Sequence, residues 1–375
     1  MLPCIKRRSK HDAGFVRRTT LLSIACLLAA AIAYPQSSYR DRIVRIGVLS
    51  LFHPAELRLR PTTGTHLVLD LDGQSSSLAD DATPMTIRAV NGGILLQLGE
   101  GRSSRMGAGL HVHQQSAARG QDASGFWLEV PGKLHRQYVG SLEVLAHGNV
   151  LEAVVAMPLE IAVSSIVQAE SPPEAGIEEL KAQAVAARSF LAAHQSSHVA
   201  FDFCDTTHCQ FLRSPPAPGS LASKSAQATR GLILTWHDTA SDRDQTVAAM
   251  YARSCGGRTR TLREIGVQGK GYPYYSVRCT YCSRHPEVWQ READLLPTPD
   301  SEAGRLAFNR IHGWGAIPSL PTNAPGQNSG IVVGRGIGHG LGLCQLGAAS
   351  MARHGASFTQ ILAHYYPNTR LATMP

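Results

Sequence analysis

Between residues 43 and 157, apolar and polar positions alternate in short runs: IVRIGVLSL, HLVLDLDG with Leu67, Leu69 and Leu71 on one face, GILLQLG, FWLEV and SLEVLAHGNVLEAVVAM. A period of two, interrupted by Gly, Asn and Ser, predicts β-strands, and Gly148-Asn149 in the last run predicts a hairpin turn. At Leu159 the period changes. Leu159, Ala162, Val163, Ile166 and Val167 fall at i, i+3, i+4, i+7 and i+8, one face of a helix. Continued by one step, that face reaches Glu170. A carboxyl on the core side of a helix is costly to ionise, so its pKa should rise, as a general acid near neutrality requires. A helix-end glutamate turned to solvent is the competing reading.

A second helix is expected from Pro172-Pro173 through EAGIEELKAQAVAARSFLAAHQ, with acidic residues in its first turns and Ile177, Leu180, Ala184, Ala187 and Leu191 as its apolar stripe. GLILTW and TVAAMYA read as paired strands, RSPPAPGSLASKS and PSLPTNAPGQNSG as loops. The chain then runs through the Gly-rich GRGIGHGLGLCQLG into two short helices, the second N-capped by Ser357. These elements predict an α+β fold, with a β-rich N-terminal region over 40–157 and a mixed helix/strand domain carrying the chemistry over 158–375.

Composition narrows the compartment and the partners. The 375 residues, 43% hydrophobic, suffice for two domains with a real core. Lys6, Arg7, Arg8, Lys10, Arg17 and Arg18 precede an uncharged stretch ending in Ala31-Ile32-Ala33, so residues 1–33 read as a secretory signal peptide. Its apolar core, Leu21 to Ala33, falls short of the roughly 20 residues a membrane-spanning helix needs, which makes an uncleaved anchor the lesser alternative. That segment holds +5 of the total +8 charge, leaving +3. So mild an excess, with no basic stripe of interleaved aromatics, argues against a nucleic-acid partner.

Six cysteines remain beyond the signal segment, and an exported location permits disulfides among them. In CDTTHCQ, Cys204 and Cys209 enclose His208, with His198 a few residues upstream. Adjacent His208 and Cys209 do not form a facing nucleophile and base. By spacing alone, zinc and a disulfide are equally open, and so are a disulfide and a metal half-site for Cys279-Thr-Tyr-Cys282. The alternate glycines from Gly334 to Gly342 lack the G-x-G-x-x-G spacing of a dinucleotide loop and suit close backbone approach instead. His339, in their midst, is either a functional imidazole or a structural one.

AESPPEAGIEELKAQAVAARSF, CDTTHCQ with YARSCGGRT, and GIGHGLGLCQLGA with ILAHYYPNTRL together resemble the stage II sporulation protein D and amidase-enhancer family of exported bacterial cell-wall proteins, over about residues 150–375. The resemblance implies a lytic transglycosylase acting on peptide-stripped glycan strands of peptidoglycan. It places the catalytic acid/base at Glu170, in Ala169-Glu170-Ser171-Pro172, with Ser where the family has Met. It also implies a zinc held by His198, Cys204 and Cys209. Substrate contacts are expected from Lys181, Gln183, Arg188, Asp205, Thr206, Thr207, His208, Gln210, Ser254, Gly256, Gly257, His339 and Gln345. One carboxylate suffices for such chemistry, whereas hydrolytic glycosidases ordinarily use two. This sequence departs from the family in carrying Cys255 and Cys344 where Ser is common, and in its Cys279/Cys282 pair, which leaves a further disulfide or metal open. Two competing functions are a non-catalytic wall-binding module that stimulates an N-acetylmuramoyl amidase, and a zinc peptidase or amidase; no H-E-x-x-H supports the latter.

Overall fold

The alternating runs build two antiparallel sheets in the computed structural model, which describes residues 42–80, 83–98, 103–115, 125–172, 174–193, 198–269, 271–292, 299–322 and 331–374. The expected signal segment 1–33 lies outside the described residues. Across the first sheet the strands are ordered Phe203–Cys204, Ile43–Val48, Val150–Pro158, Ser141–His147, Gly109–Gln114, Leu67–Leu71 and Gln74–Leu78. The second is ordered Leu134–Val139, Gly125–Val130, Glu56–Pro61, Met85–Val90, Gly93–Leu98 and Ser103–Gly107. Leu67, Leu69 and Leu71 are buried as their alternation predicts, and the hairpin around Gly148-Asn149 forms between Ser141–His147 and Val150–Pro158.

Among the described residues, only the edge strand Phe203–Cys204 of the first sheet pairs in parallel, through Ile46 with Phe203 and Gly47 with Cys204. Gly47 permits this approach, because a Cβ there would come within 2.5 Å of the Phe201 ring. The CDTTHCQ segment is thereby attached to the N-terminal sheet.

Helix α1 (Leu159–Glu170) follows strand Val150–Pro158 without a loop. The expected division between 157 and 158 therefore falls at a direct strand-to-helix junction, and both sides contribute to one core containing Val155, Met157, Leu159, Ala162 and Val163. Helix α2 (Ile177–Ala193) begins several residues after Pro172, whose carbonyl accepts the Ala175 N–H at 3.0 Å. Its alanines bury it on two sides. Leu180, Ala184, Ala187 and Leu191 join the first core; Ala182, Val185 and Ala186 join a second that includes Leu234, Leu343, Ile361 and Tyr366. Among the described residues, the further α-helices are α3 (Leu221–Ala228), α4 (Thr280–Arg284), α5 (Glu302–His312), α6 (Gln345–Arg353) and α7 (Phe358–Tyr365), the last capped by Ser357 in a capping box.

GLILTW does not pair as expected. Strand Leu232–Asp238 lies between Arg243–Thr246 and the C-terminal strand Thr369–Thr373, while Tyr251–Ala252 departs to pair in parallel with Leu343–Cys344. The chain changes partner after Val247, whose N–H still reaches the Leu234 carbonyl at 2.9 Å. The architecture is α+β. Among the described residues, no helix is long and apolar enough to cross a membrane.

Arg188, expected to bind substrate, is wholly buried. Its guanidinium forms a two-pronged pair with Glu160 at 2.9 and 2.7 Å and donates to the Leu232, Ala226 and Ala184 carbonyls. Those contacts occupy all five N–H groups, so the side chain ties α1, α2 and α3 to strand Leu232–Asp238 rather than meeting a ligand. Breaking a buried pair strands the partner charge, at a cost of about 3–5 kcal/mol. Arg188→Leu should lower unfolding free energy by that order in denaturant titrations, and Glu160→Leu/Arg188→Leu by clearly less. Equal losses in both variants would contradict the clamp.

Candidate functional site

Segments distant in sequence meet at the C-terminal end of α1. Glu170 ends that helix because Ser171 precedes a proline and is held extended (φ −93°, ψ 143°). Its half-buried carboxyl accepts the Phe211 N–H at Oε1, 3.0 Å away. Among the described residues, Oε2 accepts no hydrogen bond. Burial pushes this carboxyl up to about 7, outweighing the Phe211 N–H and the charge of Arg213.

Gln345, opening α6, donates from Nε2 to the Glu170 carbonyl at 3.1 Å. The Tyr251 hydroxyl donates to Gln210 Oε1 at 3.4 Å, and Gln210 Nε2 reaches the Ala187 carbonyl on α2 at 3.4 Å. Burial, then the nearby charge of Glu170, holds the Tyr251 phenol well above its ordinary pKa. The Gln183 side chain lies beside that phenol, within hydrogen-bonding reach. Glu170, Gln183, Gln210 and Gln345 are thus brought together. Tyr251 joins them and was not singled out from sequence, although it opens the YARSCGGRT block.

Other expected contacts are placed elsewhere. Asp205 is 5% exposed and turned into the protein, not toward a ligand. It accepts Arg136 Nη1 at 2.9 Å and the Leu49 N–H at 3.2 Å, while Arg136 also donates to the Leu212 carbonyl at 2.9 Å. Burial pushes Asp205 up to about 6 despite these donors. Lys181 pairs with Glu178 at 2.6 Å, and Glu178 accepts the Phe358 N–H at 2.7 Å, joining α2 to α7. Ser254 is buried with its hydroxyl 3.6 Å from Cys282 Sγ. Gly256 and Gly257 line a cavity of about 450 Å³ with Arg258, Arg278 and Arg335; Glu170 is not among its lining residues.

His339 accepts the Leu341 N–H at Nδ1, 2.9 Å away, and its ring also bonds the Tyr251 backbone. Burial lowers its pKa to about 4, so the imidazole is neutral at ordinary pH and supports Tyr251 from behind. Glu179, a second carboxyl pushed by burial to about 7, accepts the Gly176 N–H at 3.3 Å at the start of α2.

The CDTTHCQ segment gathers a donor set. Cys204 Sγ lies 3.0 Å from Cys209 Sγ and 3.7 Å from His208 Nδ1; Cys209 Sγ lies 3.3 Å from His198 Nε2 and 3.6 Å from His208 Nδ1. His208, expected to face the glycan, is therefore placed with the three anticipated ligands. Thr206 is buried against Cys204, its hydroxyl 3.3 Å from Sγ, whereas Thr207 is exposed. The Cys209 thiol holds the Cys204 thiol down to about 4, so the pair shares a proton unequally. Two thiols and two imidazoles are a donor set suited to one tetrahedral zinc; the 3.0 Å between the Cys204 and Cys209 sulfurs is shorter than the edge of about 3.8 Å of such a site, so the two sulfurs would move apart to hold the ion. A second set, Cys255, Cys279, Cys282 and Cys344, is fully buried and able to bind a metal.

Fold and site define an α+β protein with a proton-holding carboxyl beside a His/Cys donor set. Residues 147–236 match the family model described as stage II sporulation protein, SpoIID. It is similar to stage II sporulation protein D of Bacillus subtilis, 24% identical over 273 residues, 59% of this chain and 76% of the relative. An uncharacterized protein of Brachyspira hyodysenteriae is 25% identical over 268 residues, 61% of this chain and 71% of the relative. The matched segment holds Glu170, α2 and the first donor set, and leaves out the four-cysteine set.

The unfolded Glu170 carboxyl ionises near its ordinary 4.5 and the folded one near 7. Stability favouring the protonated form is complete below the lower value and is lost as pH rises through the higher. Glu170→Gln, which keeps the Phe211 N–H acceptor, should raise the thermal midpoint by roughly 2–4 °C at pH 8 and leave it nearly unchanged at pH 4. Equal shifts at both pH values would contradict the raised pKa.

Proposed function

We propose that this chain is an exported lytic transglycosylase that cleaves peptide-stripped peptidoglycan glycan strands, with Glu170 as general acid and base. The observation that carries the reading is the Glu170 carboxyl: burial raises its pKa to about 7, one oxygen is fixed by Phe211, and the other accepts no hydrogen bond among the described residues. The SpoIID match over residues 147–236 and the similarity to stage II sporulation protein D support a cell-wall role, and such a role is consistent with an envelope location.

In the proposed reaction Glu170 gives its proton to the glycosidic oxygen as the bond from that oxygen to muramic acid C1 breaks. The resulting carboxylate then takes the proton from the C6 hydroxyl while that oxygen bonds C1, closing a 1,6-anhydro ring and restoring the acid. No water is consumed. Asp205 and Glu179 are committed to internal contacts, which agrees with a single working carboxyl. Gln183, Gln210, Gln345 and Tyr251 supply neutral donors and acceptors suited to sugar hydroxyls. His198, Cys204, His208 and Cys209 would hold a zinc whose contribution is to fix the loop that carries Phe211.

Purified protein and its Glu170→Gln and Glu179→Gln variants should be incubated with peptide-free glycan strands and the products read by mass spectrometry. The reading expects 1,6-anhydro-muramic acid ends from wild type and Glu179→Gln, and at least a hundredfold loss for Glu170→Gln. Ends carrying an added water would indicate a hydrolase. Failure of wild type to cut, with an amidase still stimulated, would give the function to a wall-binding module.

The proton argument also fixes a pH profile. Turnover per substrate, kcat/KM, should decline as pH rises above about 7 because the free enzyme loses the Glu170 proton. Rising activity from pH 7 to 9 would exclude Glu170 as the acid.

A further inference from the structure

Cys255, Cys279, Cys282 and Cys344 come from three separate stretches of chain. Cys255 follows strand Tyr251–Ala252, Cys279 caps the N-terminus of α4 with Cys282 inside that helix, and Cys344 caps α6. Parallel pairing of Tyr251–Ala252 with Leu343–Cys344 and packing of α4 against α6 bring them together. Their exposures are 7%, 1%, 0% and 1%, and their four sulfurs all lie within 4.8 Å of one another. Cys282 Sγ and Cys344 Sγ stand 3.5 Å apart, close to the edge of about 3.8 Å that a Zn–S distance near 2.3 Å gives a tetrahedron.

Donors surround these sulfurs. The Cys282 N–H points to Cys279 Sγ at 3.5 Å, and the Cys255 and Gly347 N–H groups point to Cys344 Sγ at 3.4 Å each. The Tyr365 hydroxyl donates to Cys279 Sγ at 3.4 Å, and Ser254 Oγ lies 3.6 Å from Cys282 Sγ. Gly347 is required here: a Cβ would overlap the Tyr365 hydroxyl and come 2.6 Å from Cys279 Sγ. Donors so aimed suit thiolates, whereas disulfide sulfur accepts hydrogen bonds weakly. Four uncompensated thiolates in contact inside a core would repel, so a cation is the natural complement. A cluster of several irons would spread its cysteines wider than one tetrahedron edge.

We propose that Cys255, Cys279, Cys282 and Cys344 bind one structural zinc ion, a metal centre separate from the His198, Cys204, His208 and Cys209 set. It staples the loop after Tyr251, helix α4 and the start of α6. Because Gln345 is the residue after Cys344 and holds the Glu170 carbonyl, this zinc also fixes one wall of the acid site. The inference does not depend on the proposed reaction.

The test begins with Cys204→Ser/Cys209→Ser, which removes the other donor set. Elemental analysis should find one zinc per chain in this variant and none after adding Cys282→Ser. Cobalt exchanged into it should give the intense thiolate charge-transfer bands of a tetrahedral four-sulfur site. Should either variant fail to fold, the wild-type chain decides. Alkylation under native conditions, read by peptide mass spectrometry, should leave these four cysteines unmodified until a chelator is added, after which all four react. Two disulfides among them, no metal alongside freely reacting thiols, or iron in place of zinc would each overturn the proposal.

Discussion

The anchoring of the 204–212 segment by Arg136 is the constraint on which the site rests. A single guidinium nitrogen from strand Leu134–Val139 holds both Asp205 and the Leu212 carbonyl, while the Leu49 N–H takes the same Asp205 oxygen. The segment so held presents Cys204, His208 and Cys209 as a cluster and points the Phe211 N–H at Glu170. The N-terminal sheets therefore act as scaffold for the chemistry. With both ends of the loop held inside the protein, less ordering is left for the moment of ligand binding.

The helix supplies the opposing half. Ser171-Pro172 stops α1 where its buried face has just delivered Glu170, so the carboxyl is desolvated by the helix's own packing. The free energy that folding loses by burying this group is what places its pKa near neutrality, so stability and proton exchange are coupled at one residue. Arg188 and Glu160 perform a different task a few turns away. They hold α1, α2 and α3 in one arrangement, and hence fix where the end of α1 lies.

Local signals made much of this legible in the sequence. The switch from period two to 3.6 at Leu159 located α1 and turned Glu170 inward, and Ser357 marked the start of α7. Close spacing gathered Cys204, His208 and Cys209, with His198 nearby. What sequence did not disclose depends on contacts between distant residues. Asp205 and Arg188 read as substrate contacts in motif blocks, yet their partners Arg136 and Glu160 lie tens of residues away and bury them. Strand Leu232–Asp238 takes the C-terminal strand as neighbour, a pairing no local period encodes. Cys255 and Cys344 met Cys279 and Cys282 only through tertiary packing, and their convergence was invisible to spacing.

The central claim is that the folded chain holds a proton on Glu170 near neutrality. Site-resolved titration of that carboxyl, by carbon-13 NMR on glutamate-labelled protein with Glu170→Gln to assign the signal, measures it directly. The account predicts a midpoint at about 7. A midpoint near the ordinary glutamate value of 4.5 would contradict it, leaving Glu170 a carboxylate with no proton to give at neutral pH.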